Sequence, residues 1–322
     1  MLNSTMILFM STMIMGVLIS LSSNNWMMIW AGMEITLISF IPMMSKENLK
    51  SSESSMKYFI IQSMSSSIMI MGIMMMLLTK KTYMMIIMSS LMIKMGMAPF
   101  QTWMILMVEG LEFNLLFHLL TTLKMPPLIT MSYISFNLQI PVMMTMMLGA
   151  MLSINQTSIK KIITYSSIYN LGFMVSMIQE ISLWITYMAL YSIMLKSITM
   201  SLSKMKIMNM NQMSYSTINS MTKLSLWFNL MSLGGMPPSM GFLMKIMIIE
   251  SIINNKEMLT SIVMIYSSTI MMFYYMRMAF SSMMLYSIKM KWNATNKNIE
   301  SMKMTIMNTS IMPILVTMKS FN

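Results

Sequence analysis

Apolar stretches of about twenty residues recur along this 322-residue chain, each closed by a few polar positions. They run at about 3–22, 25–44, 55–78, 83–106, 113–138, 141–159, 161–179, 181–202, 222–253, 258–281 and 303–319. Each is long enough to cross a hydrocarbon core of about 30 Å as a helix, and none alternates with the period of two that a strand requires. The joints are short apart from 203–221 and 282–302, and neither has the makings of an extramembrane domain. The pattern predicts an all-α polytopic membrane protein of about eleven transmembrane helices, built as one transmembrane domain over 1–322.

Two spans carry helix-breaking residues in their middles. Met125-Pro126-Pro127 follows Lys124 in span five, and Gly234-Gly235-Met236-Pro237-Pro238 lies inside span nine. A helical proline removes a backbone hydrogen bond and clashes with the preceding turn. In hydrocarbon the freed groups cost several kcal/mol unless protein or water satisfies them, so two such breaks, each beside a buried lysine, point to polar cavities more than to the mere kinks common in membrane helices.

Lysine placement orients the spans. With the N-terminus inside, the inner loops and span edges hold Lys46, Lys50, Lys57, Lys160, Lys161, Lys204, Lys206, Lys223, Lys289, Lys291, Lys297 and Lys303. The outer side then holds Lys80, Lys81, Lys256 and Lys319. An odd number of spans preserves that asymmetry and puts the C-terminus outside.

Composition agrees with lipid as the solvent. Apolar residues make up 56% of the chain, charged residues 9%, and the mean hydropathy is +0.68. A soluble domain is roughly a quarter charged, enough to dress a water-facing surface. The absence of cysteine removes disulfides, thiolate metal sites, Fe–S ligation and thiol nucleophiles, and the lone His118 removes multi-histidine metal or haem ligation. The net charge of +12 lies along the loops and forms no basic, aromatic-laced stretch, which argues against nucleic acid. The 61 methionines pack as leucine does and read as a coding bias. Met1 to Ser11 has neither a basic leader nor an Arg-rich presequence, so insertion without a removable address is the expectation.

Four ionisable residues fall near the middle of their spans: Glu34 in span two, Lys94 in span four, Lys124 in span five and Lys245 in span nine. A charge there costs about 2.5–3.5 kcal/mol even on the lenient insertion scale. Pairing for helix adhesion would account for one lysine per glutamate, but three lysines face one central glutamate. Glu250 does not answer Lys245, because five helical residues place the two about 140° apart. Buried amines without their own carboxylates can release and regain a proton, and Glu34 would bias which state they hold. That is the physical basis of a relay. His118 and Lys196 are weaker candidates: the first is more often packing among leucines, and the second can snorkel towards the inner surface. Hydroxyl-rich runs at Ser63 to Ser67 and Thr164 to Ser167 could order water, although such groups usually bond back to their own helix.

Five segments carry a family resemblance. They are Trp30-Ala31-Gly32-Met33-Glu34 running to Phe40-Ile41-Pro42; Glu53 to Phe59; Lys94-Met95-Gly96-Met97-Ala98-Pro99-Phe100; Asn155-Gln156-Thr157 with Lys161 to Ile168; and Ser232 to Pro238 with Gly241, Phe242 and Lys245. In this order the chain resembles the NADH dehydrogenase subunit 2 family, the mitochondrially encoded antiporter-like subunits of respiratory complex I. The resemblance covers residues 26 to about 250, and the last seventy match in hydropathy alone. The chain departs from the family at Gln101, where a histidine is usual, at Ile105 and Leu106, and at Thr122-Leu123.

The resemblance implies a shortened antiporter-like fold with two discontinuous helices, and proton transfer through Glu34, Lys94, Lys124 and Lys245. It implies no cofactor on this chain, with FMN, Fe–S clusters and ubiquinone held by other subunits. The expected partners are neighbouring membrane-arm subunits, antiporter-like ones among them, and lipids such as cardiolipin, with no nucleic acid. The expected location is the mitochondrial inner membrane, N-terminus to the matrix and C-terminus to the intermembrane space. Two other functions compete: a stand-alone cation/proton antiporter, disfavoured by the lack of any aspartate, and a scaffold that fills a gap between neighbours.

Overall fold

The computed structural model describes residues 4–45, 48–79, 84–134, 138–215, 220–237 and 239–284. Span eleven lies outside the described residues, as do Lys46, Lys80, Lys81, Lys289, Lys291, Lys297, Lys303 and Lys319, on which much of the orientation argument rests. Among the described residues the chain is helical throughout. Its one β contact is the isolated antiparallel bridge between Ser158 and Asn209. The chain divides into two compact units, Met1–Thr145 and Met146–Asn322.

In the first unit, α1 (Ser4–Ser22) and α2 (Trp26–Met44) are predominantly apolar helices, Glu34 apart, that approach at backbone distance. A Cβ on Gly16 would lie 2.9 Å from Gly32 O, and one on Gly32 would lie 2.8 Å from Ser20 N. Small residues admit this contact, as lipid-immersed helices need when no hydrophobic drive brings them together. Next, α3 (Leu49–Thr79) spans 31 residues, about 46 Å at helical rise, so it overruns a hydrocarbon core of about 30 Å. Its first turns carry the exposed Glu53–Lys57 ion pair.

The remaining helices of this unit are short. The sequence pattern anticipates span four as a continuous helix over 83–106, but the chain forms α4 (Met84–Met95) and α5 (Thr102–Val108) with an irregular segment between. Lys94 therefore sits in the last turn of a half-helix and not at the centre of a span. The stop is written in Gly96, at φ 66°, with Pro99 three residues on. Span five is interrupted as expected, into α6 (Phe113–Leu120) and α7 (Met125–Ser132) with a 3-10 turn at Thr122–Lys124. The break precedes the prolines: Pro126 and Pro127 occupy the first turn of α7, where a missing N–H costs nothing.

Helix α8 (Gln139–Ser153) crosses the unit boundary. In the second unit, α9 (Ile159–Ser176) is buried almost all round. It packs against α10 (Ile181–Met205) and against α13 (Met240–Asn254), beyond the short α11 (Met210–Tyr215). Span nine breaks where anticipated, between α12 (Ser220–Gly234) and α13, and α14 (Met258–Met284) closes the unit against α12. Among the described residues α1, α2, α3, α10 and α14 are long and apolar enough to cross a bilayer unaided.

Candidate functional site

Three of the four central charges come together in the first unit. At the end of α4, Gly96 N donates to Ile93 O at 3.1 Å and Met97 N to Met92 O at 3.0 Å, the paired bonds of a Schellman stop. Two carbonyls of that last turn are held from outside. Gln62 Nε2 on α3 donates to Lys94 O at 3.2 Å, and Trp103 Nε1 on α5 donates to Ile93 O at 3.1 Å. The backbone freed by the interruption is thus satisfied by neutral donors, which leaves the Lys94 amine out of the helix end.

That amine points at α2. Lys94 Nζ lies 3.5 Å from Met33 Sδ, a weak acceptor, and within electrostatic reach of the Glu34 carboxylate. The two charges do not close an ion pair. Glu34 Oε1 is buried and accepts no hydrogen bond, and Tyr58 also feels its charge. Tyr58 is fixed edge-on to Phe40 at 5.4 Å and beside Trp103 at 6.3 Å.

Lys124 reaches the same place from the other side. It ends the 3-10 turn, is 3% exposed, and shares with Lys94 the wall of a cavity of about 30 Å³ that Thr36, Tyr58 and Gln62 also line. By this measure a cavity of about 10–15 Å³ can hold a water, which needs two to four polar partners, and this cavity offers both. The distorted turn is held from within: Thr121 Oγ1 donates to Phe117 O at 2.7 Å and Thr122 Oγ1 to His118 O at 2.9 Å.

Lys245 belongs to the second unit and is 5% exposed. Its Nζ donates to Gly234 O at 2.7 Å and stands 5.1 Å from the centre of the Tyr169 ring. The helix end it caps is a second Schellman stop: Gly235, at φ 85°, donates to Ser232 O at 3.2 Å and Met236 N to Met231 O at 3.2 Å. An ammonium on a backbone carbonyl and an aromatic face is stabilised without any carboxylate.

The weaker candidates stand apart. His118 is half-buried on α6 with its ring edge-on to Phe117 at 5.3 Å, and it does not line the cavity of Lys94 and Lys124. Lys196 is exposed on α10, and Glu109, Glu112 and Glu250 are exposed as well. Among the described residues no group of acids and histidines could hold a metal ion.

Sequence reasoning passes over Tyr58, Gln62, Trp103 and Tyr169. Gln62 was the findable one, an amide within an apolar run. The aromatic residues carried no signal, because a membrane span uses them for packing as readily as for polarity.

Comparison with known proteins gives a consistent result. The family model described as NADH:quinone oxidoreductase/Mrp antiporter, TM matches residues 23–85 and 78–271. NADH-ubiquinone oxidoreductase chain 2 of Aedes aegypti is 39% identical over 329 residues, covering 96% of this chain and 96% of its own. Among solved structures, respiratory complex I from Thermus thermophilus aligns with a TM-score of 0.85 at 14% identity, over 97% of this chain and 78% of the matched one. The Mrp complex from Dietzia aligns with a TM-score of 0.75 at 12% identity, over 85% and 59%.

Proposed function

The chain belongs to the NADH:quinone oxidoreductase/Mrp antiporter family, and on that premise we propose that it is a proton-translocating membrane-arm subunit of an NADH:ubiquinone oxidoreductase, multi-pass in the mitochondrial inner membrane. The observation that carries this is the cavity lined by both Lys94 and Lys124, beside a Glu34 carboxylate that is left without a hydrogen bond on one oxygen.

Desolvation and charge act on the protonation of a buried amine, so a change in one group alters its neighbours. In the first unit a proton would pass between Lys94 and Lys124 through water in their shared cavity, with Glu34 setting how firmly Lys94 holds it. The uncharged acceptors Thr36, Tyr58 and Gln62 would order that water without trapping the proton in a fixed pair. In the second unit Lys245 would hold and release a proton between the Gly234 carbonyl and the Tyr169 face. The electron-transfer chemistry, with FMN, Fe–S clusters and ubiquinone, would belong to other subunits. Lysines on the inner loops support an N-terminus on the matrix side and a C-terminus on the intermembrane-space side. The apolar outer faces would meet neighbouring membrane-arm subunits and lipids, cardiolipin included.

The test is Lys94→Met and Lys245→Met in the assembled complex, reconstituted in proteoliposomes. Each variant should assemble in normal amount on native gels and lose most of the protons moved per NADH oxidised. Undiminished pumping in both would refute the relay. Loss of assembly in place of pumping would favour a scaffold.

A further inference from the structure

The second unit holds buried phenol hydroxyls that the relay does not use. The hydroxyl oxygens of Tyr169, Tyr191, Tyr274 and Tyr275 are buried and make no hydrogen bond. Four unpaired phenols in one lipid-immersed unit are a heavy burden, because a buried donor without a partner costs more than a made bond contributes. Were these side chains only filling space, phenylalanine would fill it at less cost.

Their surroundings supply acceptors. Tyr169 on α9 has Ser267 and Ser268 of α14 as polar neighbours, Tyr191 on α10 has Ser167 and Asn170 of α9, and Tyr275 on α14 has Ser166 of α9. The serine protons are already committed to their own helices. Ser166 donates to Ile163 O at 2.8 Å, Ser167 to Thr164 O at 2.7 Å, and Ser267 to Met264 O at 3.1 Å. Their oxygens therefore face the phenols as acceptors only. Tyr187 has closed its bond, donating to Asn170 Oδ1 at 2.9 Å. The phenols beside these acceptors have closed none of good geometry, and a bridging water would satisfy them.

The cluster also touches the lysine. The Tyr169 ring is the one over which the Lys245 amine stands. Tyr275 packs against Gly234, where a Cβ would lie 3.4 Å from the tyrosine Cβ, and Gly234 O is the acceptor of the Lys245 amine. Tyr191 in turn interacts with Tyr275.

We propose that the hydroxyls of Tyr169, Tyr191 and Tyr275, with Ser166, Ser167 and Asn170 between them, form a hydrated branch that carries protons to or from Lys245. The inference rests on the relay role of Lys245 given above. In the transfer an N–H bond of the Lys245 ammonium breaks as an O–H bond forms on an adjacent water. Each phenol and water oxygen along the branch then takes one proton as it gives up another, while the serine and Asn170 oxygens hold the water in place. No phenolate accumulates and no group is oxidised or reduced.

The experiment uses the assembled complex in proteoliposomes with Tyr169→Phe, Tyr191→Phe and Tyr275→Phe, singly and together. Tyr266→Phe, on an exposed face of α14, is the control, and Lys245→Met is measured alongside. The triple variant should lower the protons moved per NADH oxidised at least twofold and change the solvent deuterium isotope effect on acidification, while the control alters neither. A triple variant with an unchanged ratio and isotope effect, beside a Lys245→Met variant that no longer pumps, overturns the branch and leaves the relay standing. Undiminished pumping in Lys245→Met overturns both. Should the triple variant not assemble, the single variants carry the comparison, and unchanged ratios in all three overturn the branch.

Discussion

The adjacent glycines Gly234 and Gly235 should respond oppositely to alanine, and the contrast tests whether the interruption in span nine is built around Lys245. Gly235 adopts φ 85°, a conformation that costs an L-residue about 1–2 kcal/mol. A Cβ there would lie 2.9 Å from Lys245 Nζ and 3.1 Å from its Cδ. The amine would have to swing off Gly234 O, which it now meets at 2.7 Å. A hydrogen bond to a charged group is worth about 1.5–3 kcal/mol, so Gly235→Ala should cost about 2.5–5 kcal/mol in all. Gly234 is the last residue of α12, with no left-handed φ, and a Cβ there meets Met272 Sδ at 3.3 Å, the flexible part of a side chain that can give way. Alanine also favours a helix over glycine by up to about 1 kcal/mol, so Gly234→Ala should be close to neutral. The assay is the fraction of complex surviving a graded heat step on native gels, together with protons moved per NADH. Gly235→Ala should fall on both measures and Gly234→Ala on neither. Equal behaviour of the two would refute the claim that the left-handed turn positions the amine.

The end of α4 offers a parallel test. Gln62→Leu and Trp103→Phe each remove one donor from the carbonyls of that turn, so each should cost about 1 kcal/mol in heat resistance. The double variant should cost more than the two together, because both donors serve one helix end. Glu34→Gln keeps the side chain's size and removes the charge that faces Lys94, so pumping should fall several-fold while assembly holds. Full retention of the proton-to-NADH ratio would remove Glu34 from the relay.

Much of this arrangement could be read from the chain. Helices stand where the apolar runs predict them among the described residues, with some ends displaced by about six residues, as at the start of α3 (Leu49) and the ends of α7 (Ser132) and α8 (Ser153), because lipid demands apolar runs of fixed length and little else competes with that signal. The double prolines and Gly234-Gly235 announced two interruptions for the same reason. The third was missed because hydropathy carried across it: Gly96, Met97, Ala98 and Pro99 are too few and too apolar to dent a twenty-residue window. A helix-stop reading of Gly96 followed by Pro99 would have found it. The charges were legible as charges, but their partners were not. That Lys94 has Met33 beside it and Lys245 has Gly234 O are facts of helix packing, and faces towards lipid and towards protein have the same composition.

Two of the three interruptions that carry central lysines, those at Lys94 and Lys245, solve one problem in different ways. Both end a helix through a left-handed glycine, and both leave carbonyls in need of donors where water is scarce. At α4 two neutral side chains, Gln62 and Trp103, take them, so the amine of Lys94 is released towards Glu34 and the cavity it shares with Lys124. At α12 the lysine itself takes the carbonyl, reaching back from α13 to Gly234. The Lys94 amine is therefore left to feel the Glu34 carboxylate through the protein, without a direct bond to it. The Lys245 amine is held by a helix end and a ring in direct contact. A substitution that moves backbone at Gly235 must act on Lys245 at once, whereas the equivalent strain at Gly96 would meet Met104, where a Cβ comes within 2.6 Å of the methyl, and would reach Lys94 only through the helix.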